Sequence, residues 1–106
     1  MTTEVNPDLS TRARVRHEPA LARYTLWLGE RNVGLADYIT TGRAIHFMNT
    51  EIHPAHRDEG LEAVLIEHAL DDVRQRTTLP VIADCPLVSD WIDENAEYQD
   101  LLTRGR

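Results

Sequence analysis

The segment PAHRDEGLEAVL, residues 54–65, combines a cation, a glycine and several acids where the pattern predicts the start of a helix. Helix starts often hold anions, because their first N–H groups are free and the helix dipole places partial positive charge there. Arg57 would add a full positive charge, and Gly60 would let an anion approach the backbone closely. The same segment carries three carboxylates, those of Asp58, Glu59 and Glu62.

Two interpretations of these carboxylates stay open. If they face a bound phosphate, unit charges about 6 Å apart at an effective dielectric constant of about 40 repel by roughly 1 kcal/mol each. Two or three such charges would weaken binding on the order of ten- to a hundredfold or more. If they face water, they stabilise the first helical turn by capping it and by interacting with its dipole, with no ligand involved.

Metal binding is the chemistry that the histidines suggest, but their arrangement does not favour it. His53 and His56 form an H-x-x-H pair, with His46 and His68 nearby in sequence. A metal site needs three or four converging ligands, and the pair spans Pro54 in a loop. We therefore expect no metal.

The composition limits the partners of the protein. The chain has 106 residues, a formal net charge of −7 and one cysteine, Cys85. This length predicts one domain with a single core. The charge argues against nucleic acid or an anionic membrane as partner, because both need a basic patch. A single cysteine cannot form an internal disulfide, which is typical of a reducing compartment. The sequence has no apolar run that resembles a membrane span or a secretory signal. We therefore expect a cytoplasmic protein.

The periodicity of apolar residues predicts strands first and helices later. Residues 1–10 are predicted to form a flexible tail, and residues 11–106 the domain. The alternation and the turn residues predict strands at residues 13–17, 23–30, 32–40 and 43–52. A 3.6-residue period predicts a helix at residues 60–76, followed by a buried strand at 80–85, a short helix at 87–95 and a final turn or edge piece at 97–102. Trp91 and Tyr98 are interpreted as packing residues.

This order predicts an α+β fold in which helices cover a mainly antiparallel sheet. The strand–helix–strand crossover from residues 43–52 to residues 80–85 makes those two strands parallel neighbours. It also places the start of the long helix at the carboxyl end of the preceding strand, where ligands commonly bind.

Three blocks of the sequence resemble the short single-domain GNAT-like N-acetyltransferases. They are RYTLWLGERNVGLADYI, NTEIHPAHRDEGLEAVLIEHALDDVR and PVIADCPLVSDWIDENAEYQDLL. The first is similar to the family's RYEL-VDGE-AG-A-Y, and the others to its THTEV-P…RG-G-G/A and CP-V…HPEY-DLV blocks. The likeness spans roughly residues 13–102. It implies a GNAT-like mainly antiparallel sheet with one parallel βαβ crossover, a long helix and a short C-terminal helix.

The resemblance also implies an acetyl-coenzyme A site. In the family two parallel strands splay apart around pantetheine, and the pyrophosphate lies on a loop with the pattern R-x-x-G-x-G/A. The coenzyme-binding positions implied here are Ile52, Arg57, Asp58, Gly60, Leu61, Glu62 and Cys85. Three positions depart from the pattern: Asp58 stands where glycine is common, Glu62 replaces a small residue, and Asn49 replaces a histidine.

The implied catalytic residues are Glu51, Cys85 and Asn49. Glu51 is a candidate general base for an incoming ammonium, with a surface contact as the alternative. Cys85 falls near the expected thioester, where it would accept an acetyl group or contact the acceptor. A reactive thiol needs a cationic setting, whereas Asp84 is adjacent, so inert packing is its alternative. Asn49 could bind substrate but cannot act as a base.

The sequence therefore indicates an acetyl-coenzyme A-dependent N-acetyltransferase, a monomer or weak dimer, acting on a small-molecule or peptide amine. The alternative is a non-catalytic acetyltransferase-like domain with a degraded coenzyme A loop that acts in protein interaction. The acidic run from Asp90 to Asp100 would then be its contact surface.

Overall fold

The computed structural model describes residues 12–105, and the predicted tail at residues 1–10 lies outside them. Within the described residues, one sheet has the strand order β1-β2-β3-β4-β5. The strands are β1 Ala13–Glu18, β2 Arg23–Leu28, β3 Arg31–Thr40, β4 Ile45–Ile52 and β5 Val81–Ala83. The α-helices are α1 Leu61–Arg76 and α2 Pro86–Glu94, and the 3₁₀ segments are Pro19–Leu21, Pro54–His56 and Ala96–Leu102. The predicted α+β fold is confirmed.

The first four strands form an antiparallel meander, because short turns join them in sequence order. After α1 the chain returns as β5, which pairs in parallel with β4 through Ile45↔Val81, His46↔Ile82 and Phe47↔Ala83. The crossover predicted from the sequence is therefore present. The segment predicted as a final turn or edge piece is the 3₁₀ segment Ala96–Leu102.

The inner face of the sheet packs against α1. Successive strand residues point to opposite faces, so Tyr24, Leu26, Ala36 and Phe47 share one face and are at most 2% exposed. Leu61, Leu65 and Leu70 of α1 meet them in the core, and Val88 and Ile92 of α2 belong to the same core. Burial of these apolar residues fixes α1 against the inner face of the sheet. The first turn of α1 borders the candidate site.

The opposite face, which we call the outer face, lacks such a cover. The strand pairing places the following side chains on it: Arg14, Arg16, Glu18, Arg23, Thr25, Trp27, Leu35, Asp37, Ile39, His46, Asn49, Glu51 and Ile82. Ile39 is 53% exposed and Ile82 is 37% exposed, although both are large and apolar. No described helix packs its apolar residues against this face.

A polar cluster ties β1 and β2 to the second half of α1. The hydroxyl of Tyr24 donates to Asp72 at 2.7 Å, and Arg76 donates to the same carboxylate at 2.7 Å. Burial opposes the charge on Asp72, but the bonds from Tyr24 and Arg76 prevail and lower its pKa. Burial lowers the pKa of His17, which stacks on Tyr24 with ring centroids 4.4 Å apart. Burial and the bond to Asp72 raise the pKa of Tyr24.

Candidate active site

A gap opens beside β4 because β5 is three residues long and β4 is eight. Just after β5, the N–H of Cys85 donates to the C=O of Phe47 at 2.9 Å, and this is the last backbone hydrogen bond to β4 on this side among the described residues. Immediately after Phe47, Met48 is the extra residue of a bulge, since Tyr38 pairs with Phe47 and Asp37 with Asn49. The rest of β4 therefore has a strand neighbour on the β3 side alone.

The backbone of β4 presents hydrogen-bonding groups to this gap. The N–H of His53 donates to the C=O of Val33 at 2.7 Å, which marks a hydrogen-bonded pair. Hydrogen-bonded and non-hydrogen-bonded pairs alternate along antiparallel strands, so the N–H and C=O groups of Thr50 and Ile52 point away from β3. They face the gap, where they are available to an extended ligand.

A cleft of about 660 Å³ lies at this gap and runs to the first turn of α1. Five residues predicted from the sequence line it: Glu51, Ile52, Arg57, Asp58 and Glu62. Its other lining residues are Asn32, Val33, Gly34, Leu35, Thr50, His53, Pro54 and Leu87. The fold thus brings together the end of β4 and the loop before α1, as the predicted strand–helix crossover implied.

The first turn of α1 is not capped by a side chain. Gly60 occupies the N-cap with φ of 76°, and no side-chain hydrogen bond is made to the turn. Glu59 instead accepts a hydrogen bond from His56 at 2.7 Å. None of Asp58, Glu59 and Glu62 makes a capping hydrogen bond to the first turn, so the capping part of the second interpretation is not observed, whereas Glu62 lies in the first turn, where it interacts favourably with the helix dipole. The first amides of α1 remain available to an anion.

Charge at the cleft is unbalanced towards negative. The guanidinium of Arg57 has no hydrogen-bond or ion-pair partner among the described residues, and it is the cation of the lining. Three carboxylates line the same cleft, those of Glu51, Asp58 and Glu62. Asp58 also has a left-handed backbone, with φ of 65°, which is why a glycine suits this position better.

The remaining predicted site residues do not line the cleft. Leu61 is fully buried beneath the start of α1, and Gly60 is buried next to it. Cys85 is 4% exposed, and its thiol donates to the hydroxyl of Thr50 at 3.5 Å. Asn49 lies on the outer face, where it pairs with Asp37 of β3.

Several lining residues were not predicted from the sequence. Gly34 and Leu35 reach the cleft because they pair with Ile52 and Glu51, and strand register is not readable from composition. Leu87 could have been noticed in the sequence as a large apolar residue in the first turn of α2. In the structure its side chain is 46% exposed.

The two loop histidines each have a local role. The Nδ1 of His53 accepts the N–H of Ala55 at 3.1 Å, and His56 bonds to Glu59. Across residues 12–105, no three side chains of the His, Cys, Asp and Glu types converge as metal ligands do.

Among the helices of residues 12–105, none has the length and apolar character needed to cross a membrane.

Comparison with known proteins gives two results. A family model described as GCN5-related N-acetyltransferase matches residues 23–101. The ribosomal-protein-S18-alanine N-acetyltransferase from Escherichia coli has a similar structure, with a TM-score of 0.57 and 15% sequence identity. That alignment covers 82% of this chain and 65% of the Escherichia coli protein, so the chain spans less than two thirds of its structural relative. No curated protein matches the chain by sequence.

Proposed function

Since the chain belongs to the GCN5-related N-acetyltransferase family, we propose that it transfers the acetyl group of acetyl-coenzyme A to an amine at the cleft beside β4. The observation that carries this proposal is the cleft itself. It joins the unpaired end of β4 to an uncapped helix start beside an unpartnered arginine. An extended ligand with an anionic end fits this combination of backbone groups and positive charge.

The coenzyme would be held at both ends of the cleft. The pantetheine arm would lie along β4, bonded to the backbone groups of Thr50 and Ile52. The pyrophosphate would lie on the first amides of α1, with Arg57 beside it. Gly34 supports this fit, because a Cβ there would be 2.7 Å from the Cδ1 of Ile52, so the absence of a side chain leaves the wall of the cleft open.

The reaction would be a direct attack of the amine on the thioester carbonyl. A free amine is required, so Glu51 would take a proton from the incoming ammonium, directly or through a water. The amine nitrogen would then bond to the carbonyl carbon, and a gap-facing N–H of β4 would stabilise the oxyanion. Collapse of the intermediate would break the carbon–sulfur bond and release coenzyme A as the thiolate, with the second amine proton passing to solvent.

A second function is favoured by the charge of the cleft. Asp58 and Glu62 replace residues that would admit a pyrophosphate without repulsion, and both line the cleft. A domain that has lost the coenzyme and serves in protein interaction would show this pattern. The two functions differ in one measurable property, the affinity for acetyl-coenzyme A.

Titration of acetyl-coenzyme A into ¹⁵N-labelled protein separates the two functions. The proposal expects saturable shifts of the amide signals of residues 57–63 and 50–52, because both ends of the ligand contact them. Release of free coenzyme A in the presence of an amine would then establish transfer. The absence of any shift at millimolar ligand would contradict the enzyme and leave the interaction domain.

The role of Arg57 is tested by shortening the ligand. Arg57→Gln should weaken binding of acetyl-coenzyme A about tenfold, whereas binding of acetyl-pantetheine, which lacks the pyrophosphate, should not change. Arg43→Gln is the matched control, because Arg43 is exposed in the turn between β3 and β4 and lies outside the cleft lining. Equal loss for both ligands would show that Arg57 does not contact the pyrophosphate.

A further inference from the structure

We propose that the acceptor amine is carried by a polypeptide segment that docks on the outer face of the sheet, with basic residues next to the amine and apolar residues farther along the segment. This inference rests on the proposed function and names the substrate class for the same site. Glu51 connects the two, because its side chain is on the outer face and also lines the cleft.

The outer face offers an extended surface and no enclosure. Strand pairing aligns Ile39, His46 and Ile82 in one row across β3, β4 and β5. Met48, at the bulge, is 44% exposed. Adjacent strands are about 4.8 Å apart, so the row spans about 10 Å and suits two or three side chains of an extended segment. A small free amine would leave this apolar surface in water.

The surroundings of Glu51 also favour a long acceptor. Its neighbour in the pairing is Leu35 of β3, and Glu51 itself is exposed. A small amine would contact Glu51 at the cleft and would leave the rest of the outer face unused. A polypeptide also contacts this face and gains binding energy from residues remote from the amine.

The charges on the outer face determine which residues of the docked segment are favoured next to the acceptor amine. Asp37 and Glu51 are on neighbouring strands near the gap, and neither has a hydrogen-bond or ion-pair partner among the described residues. The carboxylate of Asp84 is already engaged, because it is hydrogen-bonded to His46 at 2.9 Å.

The cations of this face are engaged by other side chains or lie farther away; Arg23 is opposite Asp37 in the strand register, but its guanidinium is held by Glu18. Arg23 pairs with Glu18 at 2.9 Å, and Arg16 stacks over Trp27 at 4.7 Å from the ring centroid. Arg14 and Arg16 are on β1, three strands and about 14 Å from β4. Positive charge next to the acceptor amine is therefore favoured, and negative charge there is opposed.

Acetylation of degenerate peptides tests the substrate class. One library has a central lysine and a blocked amino terminus, the other a free amino terminus and no lysine, and all flanking positions are randomised. With acetyl-coenzyme A as donor, mass spectrometry reads which peptides are acetylated, and n-butylamine is the small-amine comparison. We expect at least one library to be acetylated with a kcat/KM about tenfold or more above that of butylamine. Arg and Lys should be enriched within two positions of the amine, and large apolar residues about four to five positions away, where an extended segment reaches the row of Ile39, His46 and Ile82.

Four outcomes contradict the inference, and they separate it from the proposed function. Acetylation of butylamine without acetylation of either library leaves the proposed function intact and overturns the polypeptide acceptor. Acetylation of a library with no flank preference, or with enriched acidic flanks, overturns the outer face as the docking site. Bound acetyl-coenzyme A that is transferred to no amine contradicts both.

Variants locate the peptide on the surface. Asp37→Asn should reduce the enrichment of basic flanks, and Ile39→Ser with Ile82→Ser should raise the KM for the preferred peptides about tenfold. Leu21→Ser is the matched control, because Leu21 is 60% exposed in the β1–β2 connection and should leave that KM unchanged. The affinity of each variant for acetyl-coenzyme A reports whether the fold and cleft are intact. An unchanged KM in the double variant would exclude the outer face.

Discussion

The Sγ atom of Cys85 lies 3.5 Å from the Oγ1 atom of Thr50, at the point where β4 and β5 stop pairing. The thiol is 4% exposed and is directed at β4, so it links the two strands on either side of the gap. Cys85 also donates its backbone N–H to Phe47. This position supports a packing role for the thiol next to the proposed thioester site, while a nucleophilic role would require it to reach the cleft.

Substitution of Cys85 distinguishes packing from covalent catalysis. Cys85→Ser should retain acetyl transfer within about threefold, because the hydroxyl occupies a similar volume and still donates to Thr50. Cys85→Ala should lower the free energy of unfolding by about 1–2 kcal/mol, since it leaves a small cavity and an unpaired hydroxyl. Steady-state kinetics and urea unfolding measure the two effects. A loss of more than about a hundredfold in both folded variants, with an acetyl-cysteine seen by mass spectrometry, would establish covalent catalysis instead.

Replacement of Asp58 separates backbone strain from charge repulsion. Asp58→Gly removes both the carboxylate and the left-handed penalty, and should stabilise the fold by about 1 kcal/mol. Asp58→Asn removes only the charge, because asparagine adopts this backbone about as readily as aspartate. Both variants should bind acetyl-coenzyme A about three- to tenfold more tightly if the carboxylate faces the pyrophosphate. Calorimetric titration measures this, and equal affinities in the two variants and the parent protein would show that the side chain faces water.

Gly34 controls the width of the cleft. In Gly34→Ala the new Cβ would lie 2.7 Å from the Cδ1 of Ile52 and 3.0 Å from the backbone oxygen of Glu51, so the side chain of Ile52, which lines the cleft, must shift. We expect the affinity for acetyl-coenzyme A to fall about tenfold, with a stability loss of about 1–3 kcal/mol. Gly42→Ala is the matched control, since a Cβ at Gly42 meets no atom within 4 Å. Equal effects of the two substitutions on affinity would argue against a ligand beside Ile52.

The sequence predicted the elements well and the relations between them less well. The five strands and two helices were predicted because alternation, the 3.6-residue period and turn residues are local signals. The sequence left open whether the acidic residues cap α1, and the absence of a side-chain cap goes with left-handed backbone at Asp58 and Gly60, which the acidic composition does not indicate. The contribution of Gly34 to the wall of the cleft depends on its pairing with Ile52. Such strand register is set by long-range packing. The uncovered outer face follows from where both helices pack, which no single segment encodes.

The bond from Tyr24 to Asp72 should make part of the stability depend on pH. Tyr24→Phe removes a donor to a partly buried carboxylate and should cost about 1–2 kcal/mol of unfolding free energy at pH 7. The folded pKa of Asp72 is lowered, so the stability from its charged form is complete above its unfolded pKa and is lost as the pH falls through the folded value. The difference between parent and variant should therefore be constant from about pH 7 to 5 and shrink below about pH 4.

Tyr98→Phe is the control for this pH dependence. The hydroxyl of Tyr98 donates to Asp71 at 2.8 Å, but Asp71 is exposed and water can replace the lost donor, so a smaller loss is expected at pH 7. Urea unfolding from pH 3 to pH 8 measures both variants. A Tyr24→Phe loss that stays the same at pH 3 would mean that the hydroxyl stabilises the fold independently of the charge on Asp72.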